Sequence, residues 1–140
     1  MLKLKPYSAS ILALGGFLLI VMGLYFVLLR PPLLPEDLRY MKTNLLIIHN
    51  SAPGLSVWLK KVFWVMGSYI ITTGLLTVFI SFTSFRTRLR GAFSIVALAG
   101  IRSIGSMTGV NFMIGSDLKW LLLTFTLPWA IALILYRLNK

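Results

Sequence analysis

The chain contains no cysteine, which removes disulfides, thiolate metal sites and thiol redox chemistry together. It has a single histidine, His49, so a bis-histidine haem is excluded and a zinc site lacks its usual partners. Beside an apolar helix such a lone histidine reads as a capping or interfacial residue. Acids are nearly as scarce: Glu36, Asp37 and Asp117 are the only three. A two-carboxylate mechanism would have to use Glu36 and Asp37, and neighbouring residues on a helix project in different directions. No Ser/His/Asp arrangement has a spacing logic, and the Walker and dinucleotide glycine patterns are absent. Catalysis by side chains alone, a metal site and a bound cofactor of known motif are therefore not expected.

Apolar sequence is what the chain has instead. Of 140 residues, 58% are hydrophobic and only 12% charged, with a mean hydropathy of +0.88. A soluble domain carries roughly 25% charged residues. Four runs, Ser8–Leu29, Val62–Phe82, Gly91–Met113 and Leu118–Tyr136, are each long enough to cross a hydrocarbon core of about 30 Å at ~1.5 Å rise per residue. Nothing of comparable size is left for a soluble domain. The expectation is all-α: one transmembrane domain over 1–140, an antiparallel four-helix bundle embedded in the lipid bilayer. The opening "MLKLKPYSASILALGG" resembles a signal peptide, but its apolar run is too long for one and shows no clear cleavage site. It reads as an uncleaved first span.

The net charge of +11 would suggest nucleic acid in a soluble protein. Here most basic residues flank the spans, where Lys and Arg anchor helices and face anionic headgroups, and no recognition motif accompanies them. Nucleic acid is not an expected partner. An even number of spans puts both termini on one side with Arg86, Arg88 and Arg90. Counting Lys3, Lys5, Arg137 and Lys140 with these hardly separates that side from the one holding Arg30, Arg39, Lys42, Lys60, Lys61 and Lys119. The short, dense "RTRLR" loop decides for cytoplasmic termini, because such clusters resist translocation. Tyr7 and Tyr136 would then mark the inner interface and Trp58 and Trp120 the outer one.

Arg30-Pro31-Pro32 ends the first run by removing two backbone donors. In "LLPEDLRYMKTNLLIIHNSAPG", Pro35 and the acids after it suit a first helical turn. Leu38, Met41, Leu45 and Ile48 then recur at helical spacing, so a short amphipathic surface helix is expected over about 35–50. In the second run Gly67, Gly74 and Ser81 repeat every seven residues, and the first run offers Gly16 and Gly23 at the same spacing. Matching flat faces let membrane helices approach closely, so these two are expected neighbours. Pro128 interrupts the fourth run, should kink it, and frees the carbonyl of Thr124.

One residue resists the bland reading. "LAGIRSIGSM" sets Arg102 near the centre of the third run, where insertion scales place an arginine at roughly +2.5 to +3.5 kcal/mol. On an ideal wheel Ala99, Gly105, Ser106 and Gly109 fall within about 60° of it, while Phe93, Val96, Ile104 and Met107 lie opposite. The expectation is that Arg102 and the Gly105-x-x-x-Gly109 face point into the bundle and that the bulky face meets lipid. Its charge is expected to be answered foremost by Glu36 or Asp37 folded into the bundle mouth. Asp117, the carbonyl freed by Pro128, or a bound ligand are the other candidates. The ligand alternative makes Arg102, Ser106 and Thr124 the wall of a site for a quinone, a lipid or an organic anion.

The layout resembles the DoxX-like superfamily of small four-helix membrane proteins. The likeness is carried by "PGLSVWLKKVFWVMGSYIITTGLL" and "GIRSIGSMTG", as a hydropathy and glycine pattern over most of the chain. The resemblance implies the bundle fold; relatives include membrane subunits linked to sulfur or quinone chemistry and chaperone-like partners. The function expected first is a non-catalytic accessory protein, packing against another membrane protein or copies of itself. The binding module built on Arg102 is the alternative.

Overall fold

The computed structural model describes residues 5–138. Lys3, Lys140 and the side chain of Lys5, used in the orientation count, lie outside the described residues. All regular structure in the described residues is helical, with no strand. The elements are α1 (Lys5–Leu28), α2 (Pro35–Met41), α3 (Leu45–Ser51), α4 (Leu55–Ile80), α5 (Ala92–Gly100), α6 (Ser106–Met113) and α7 (Lys119–Leu138). A π-turn, Ser81–Phe85, prolongs α4, and a second, Ile101–Gly105, joins α5 to α6 as one rod. Four helices are long and apolar enough to cross a membrane: Tyr7–Leu28, Leu55–Phe85, Ala92–Met113 and Lys119–Leu138. The second is longer than expected. Its 31 residues rise about 46 Å at ~1.5 Å each, and the added first turns carry exposed Trp58, Lys60 and Lys61.

The helix α1 is the spine, with α4 along one side and α7 along the other, while the α5–α6 rod lies on α7. The closest seam is α1 on α4. A Cβ built on Gly74 would lie 2.6 Å from the Gly16 carbonyl oxygen, and one on Gly67 2.7 Å from that of Gly23. Rising numbers on α1 thus meet falling numbers on α4, so the pair runs in opposite directions. The same register sets buried Ala9 opposite buried Ser81. Only residues without a side chain allow two backbones this near, and in lipid such packing, not hydrophobic burial, holds helices together.

The rod follows a different rule. Its buried positions are Ala92, Val96, Gly100, Ile104 and Thr108, every fourth residue. On an ideal α-helix that stripe would drift by about 40° per step. The π-turn at Ile101–Gly105 underwinds the rod and keeps the stripe on one face. The grouping of residues around the rod is as expected but the side is reversed: Arg102, Ser106 and Gly109, expected to point into the bundle, are exposed. Val96 and Ile104, expected to face lipid, are 3% and 1% exposed. A Cβ on Gly109 would meet nothing within 4 Å, and one on Gly105 would meet only the Gly100 carbonyl of its own rod, at 3.1 Å. The close approach falls to Gly100 instead. A Cβ there would lie 2.6 Å from the ring of Trp129, and one on Gly15 would lie 2.8 Å from the other edge of that indole. Trp129 of α7 is thus held in a slot between α1 and the rod, with its ring N–H unpartnered.

The surface segment is two helices, not one. Lys42 adopts a left-handed conformation (φ 52°) and the Thr43 N–H reaches back to the Leu38 carbonyl, closing α2. Asn44 then caps α3 by accepting from the Ile47 N–H at 2.9 Å. The links after α4 and α6 close in the same way, at Arg88 (φ 58°) and Gly115 (φ 66°). Tyr7, Trp58 and Trp120 are exposed, as interfacial aromatics would be. Tyr136 is not: it is half-buried with its ring 4.5 Å from that of Phe85.

Candidate functional site: a side-opening cavity

The π-turn ending α4 touches α5, but along most of their length α4 and the rod stand apart. Between them lies a cavity of about 790 Å³, within the ~300–1,000 Å³ typical of small-molecule sites. Its floor is α1 through Leu19, Met22 and Phe26. One wall is α4, with Met66, Tyr69, Ile70 and Thr73; the other is the rod, with Ala99, Arg102, Ser103, Ser106 and Met107. Arg30, Leu34, Glu36, Asp37 and Ser116 close one end.

That end is a tight polar cluster built by the Pro-Pro break and α2. Arg30 donates to the Pro31 carbonyl at 3.1 Å and to Asp37 Oδ2 at 3.4 Å. The same carboxylate oxygen accepts from the Leu34 N–H at 2.9 Å, fixing the start of α2. The Arg30 guanidinium also lies 3.6 Å from the ring centroid of Phe63 and 5.3 Å from that of Phe26. Burial pulls its pKa below the ordinary arginine value, and the Asp37 charge opposes that pull. Glu36 is 5% exposed and accepts from the Ser116 hydroxyl at 3.1 Å, while Ser116 Oγ accepts from the Leu118 N–H. Arg39 donates to Asp117 at 2.8 Å across the same junction. The Asp117 hydrogen bond raises the Arg39 pKa, but both side chains are exposed and the pair contributes little to stability.

All three acids are therefore engaged by the loop layer, and the expected pairing of Arg102 with Glu36 and Asp37 is not made. The reason is local. Asp37 lies seven residues from Arg30 and is held to it by the turn at Pro31–Pro32, whereas Glu36 is drawn to Ser116. Arg102, near the middle of Ala92–Met113, has no hydrogen bond or ion pair among the described residues and lines the cavity wall. Ser106 lines the same wall. Thr124 does not: it is exposed on α7, donating to its own Leu121 carbonyl at 2.6 Å. The ligand triad expected from the sequence reduces to Arg102 and Ser106.

The serine and threonine hydroxyls along the cavity walls are already committed as donors, while the phenols of Tyr25 and Tyr69 also line it. Ser103 donates to the Ala99 carbonyl at 2.6 Å, Ser106 to that of Ile101 at 3.0 Å, and Thr73 to that of Tyr69 at 2.9 Å. Asn111 spends one amide proton on the Met107 carbonyl. These back-bonds are the usual way hydroxyls settle in apolar helices. No group of three or more His, Asp and Glu residues that could hold a metal occurs among the described residues. His49 is exposed on α3.

Sequence reasoning misses Arg30, the α4 wall and the Gly15–Trp129–Gly100 slot. Arg30 carries a signal, since a cation before Pro-Pro and seven residues from an acid is placed to pair with it. Comparison with protein-family models, curated proteins and solved structures gives no match to this chain.

Proposed function

We propose that this protein is a membrane-embedded binding module that holds a lipid-like molecule between α4 and the α5–α6 rod. In this reading the four long helices form an antiparallel transmembrane bundle with both termini in the cytoplasm, beside the DoxX-like proteins in layout. One observation carries it: a cavity of about 790 Å³, walled chiefly by apolar side chains and lined by an exposed arginine, Arg102, with no partner among the described residues. A charge at that depth is costly unless something answers it, and a sideways opening admits a molecule already dissolved in the bilayer. The accessory-subunit reading has less support, because the glycines of the α1–α4 seam are consumed inside the chain and leave no flat face for another protein there.

The test is native mass spectrometry of the protein extracted gently from its own membrane, beside a Ser106→Trp variant that fills the cavity from an exposed wall position. A small-molecule mass retained by the wild type and lost in the variant is expected. A large co-purifying protein on both, with no small molecule on either, would replace this reading with the accessory one.

A further inference from the structure

We infer that the bound molecule is a long-chain carboxylate whose head group lies at mid-depth on Arg102, a conclusion that rests on the binding reading above. Two arginines line the cavity, Arg30 and Arg102. Arg30 is neutralised by Asp37 and flanked by two phenyl rings, so it offers an incoming anion no free charge. An anion held at that end would also face the Glu36 carboxyl. The available cation is Arg102, roughly 16 Å along the rod from its α6 end at ~1.5 Å per residue. The head group is thus drawn inward, away from the loop layer.

Hydrogen-bond accounting narrows the chemistry. Ser103, Ser106 and Thr73 have each committed their only proton to a backbone carbonyl, so around Arg102's depth the donors left on the cavity walls are the Arg102 guanidinium, the one charged group among them, and the phenol of Tyr69. An occupant must therefore accept hydrogen bonds there rather than donate them. A quinone or ester carbonyl accepts but leaves a full positive charge unanswered in hydrocarbon. A phosphate monoester brings about −1.5 to −2 charges and three acceptor oxygens, more than one guanidinium can neutralise. A phospholipid's diester carries one charge but has substituents on both sides, so its polar head group would have to lie inside the apolar cavity as well. A carboxylate matches in charge, and its two oxygens fit the parallel N–H fork of arginine. The apolar floor of Leu19, Met22 and Phe26 then takes a hydrocarbon tail.

The experiment compares a fluorescent long-chain polyene fatty acid with its methyl ester, binding the full-length protein in zwitterionic phosphatidylcholine nanodiscs. Energy transfer from tryptophan is read against empty nanodiscs. Saturable binding of both is expected, with the acid at least tenfold tighter. Arg102→Met should bring the acid down to the ester's affinity and leave the ester unchanged, which also shows that the variant is folded. Arg102→Lys should retain part of the preference. Equal affinities for acid and ester in the wild type, or a preference that survives Arg102→Met, would overturn the carboxylate assignment and leave the binding reading intact. No saturable binding of either probe would overturn both.

Discussion

The two sides of α4 obey opposite packing rules. Toward α1 it presents Gly67 and Gly74, and the backbones approach until a carbonyl oxygen occupies the space of the missing side chain. Toward the α5–α6 rod it presents Met66, Tyr69, Ile70 and Thr73, and the helices stand apart for most of their length. A single helix thus borders both the tightest seam and the large cavity. The difference lies in side-chain size. Small residues in register allow contact along a whole helix, while large, mismatched ones hold two helices apart except where the chain links them. A binding cavity needs both, because walls can stand open only when something else holds the bundle together.

Three glycines turn this contrast into measurements, each read as thermal stability in detergent. Gly74→Ala should have the largest effect, because the new methyl would lie 2.6 Å from the Gly16 carbonyl oxygen. Backbone cannot rotate away as a side chain can, so the cost should reach or exceed the upper end of the ~1–3 kcal/mol seen for overpacked cores. A loss below the ~1 kcal/mol lower end of that range would mean that the seam is softer than its geometry. Gly100→Ala should cost about 1–3 kcal/mol, since its methyl would press on the Trp129 ring at 2.6 Å. Pairing it with Trp129→Leu should cost less than the two single changes added, as expected for residues that share one space. Additive losses would separate Gly100 from that slot. Gly109→Ala should do least, and in the other direction. Its methyl meets nothing within 4 Å, so replacing an unpacked helical glycine should gain about 0.5–1 kcal/mol. A clear loss there would mean that Gly109 faces a partner in the assembled protein.

The parts of the fold legible in the sequence are those governed by regular periods. Four apolar runs become four long helices because length and hydropathy depend on no neighbour. Gly16, Gly23, Gly67 and Gly74 announce their seam because the seven-residue spacing is the same on both helices. The rod escapes the sequence for a definite reason: a wheel groups residues by face but carries no information about which face meets the bundle. Placing Arg102 inside turns Ile104 toward lipid and Gly109 toward the interior, the reverse of where they lie, because the arginine face is the exposed one. Of the site, the isolation of Arg102 is visible from the scarcity of acids, but its want of a protein partner is not. That depends on where Glu36 and Asp37 go, and Glu36 meets Ser116 only in three dimensions. The α2–α3 break turns on Lys42 accepting a left-handed backbone, a choice that lysine rarely makes and that no spacing predicts.

The π-turn also gives the rod a torsional property. Between Ile101 and Gly105 the helix holds about one residue more than ordinary winding needs, so the segments on either side are phased to each other by that surplus. Removing one residue there would let the segment wind as ordinary α-helix with both flanks still in phase. Winding it that way with every residue kept would instead turn Ala92–Gly100 against Ser106–Met113 by roughly 100°, carrying Gly100 off the indole it cradles while the α6 wall stayed in place. The middle of this helix is a phase setting, and length is the lesser part of what its residues encode.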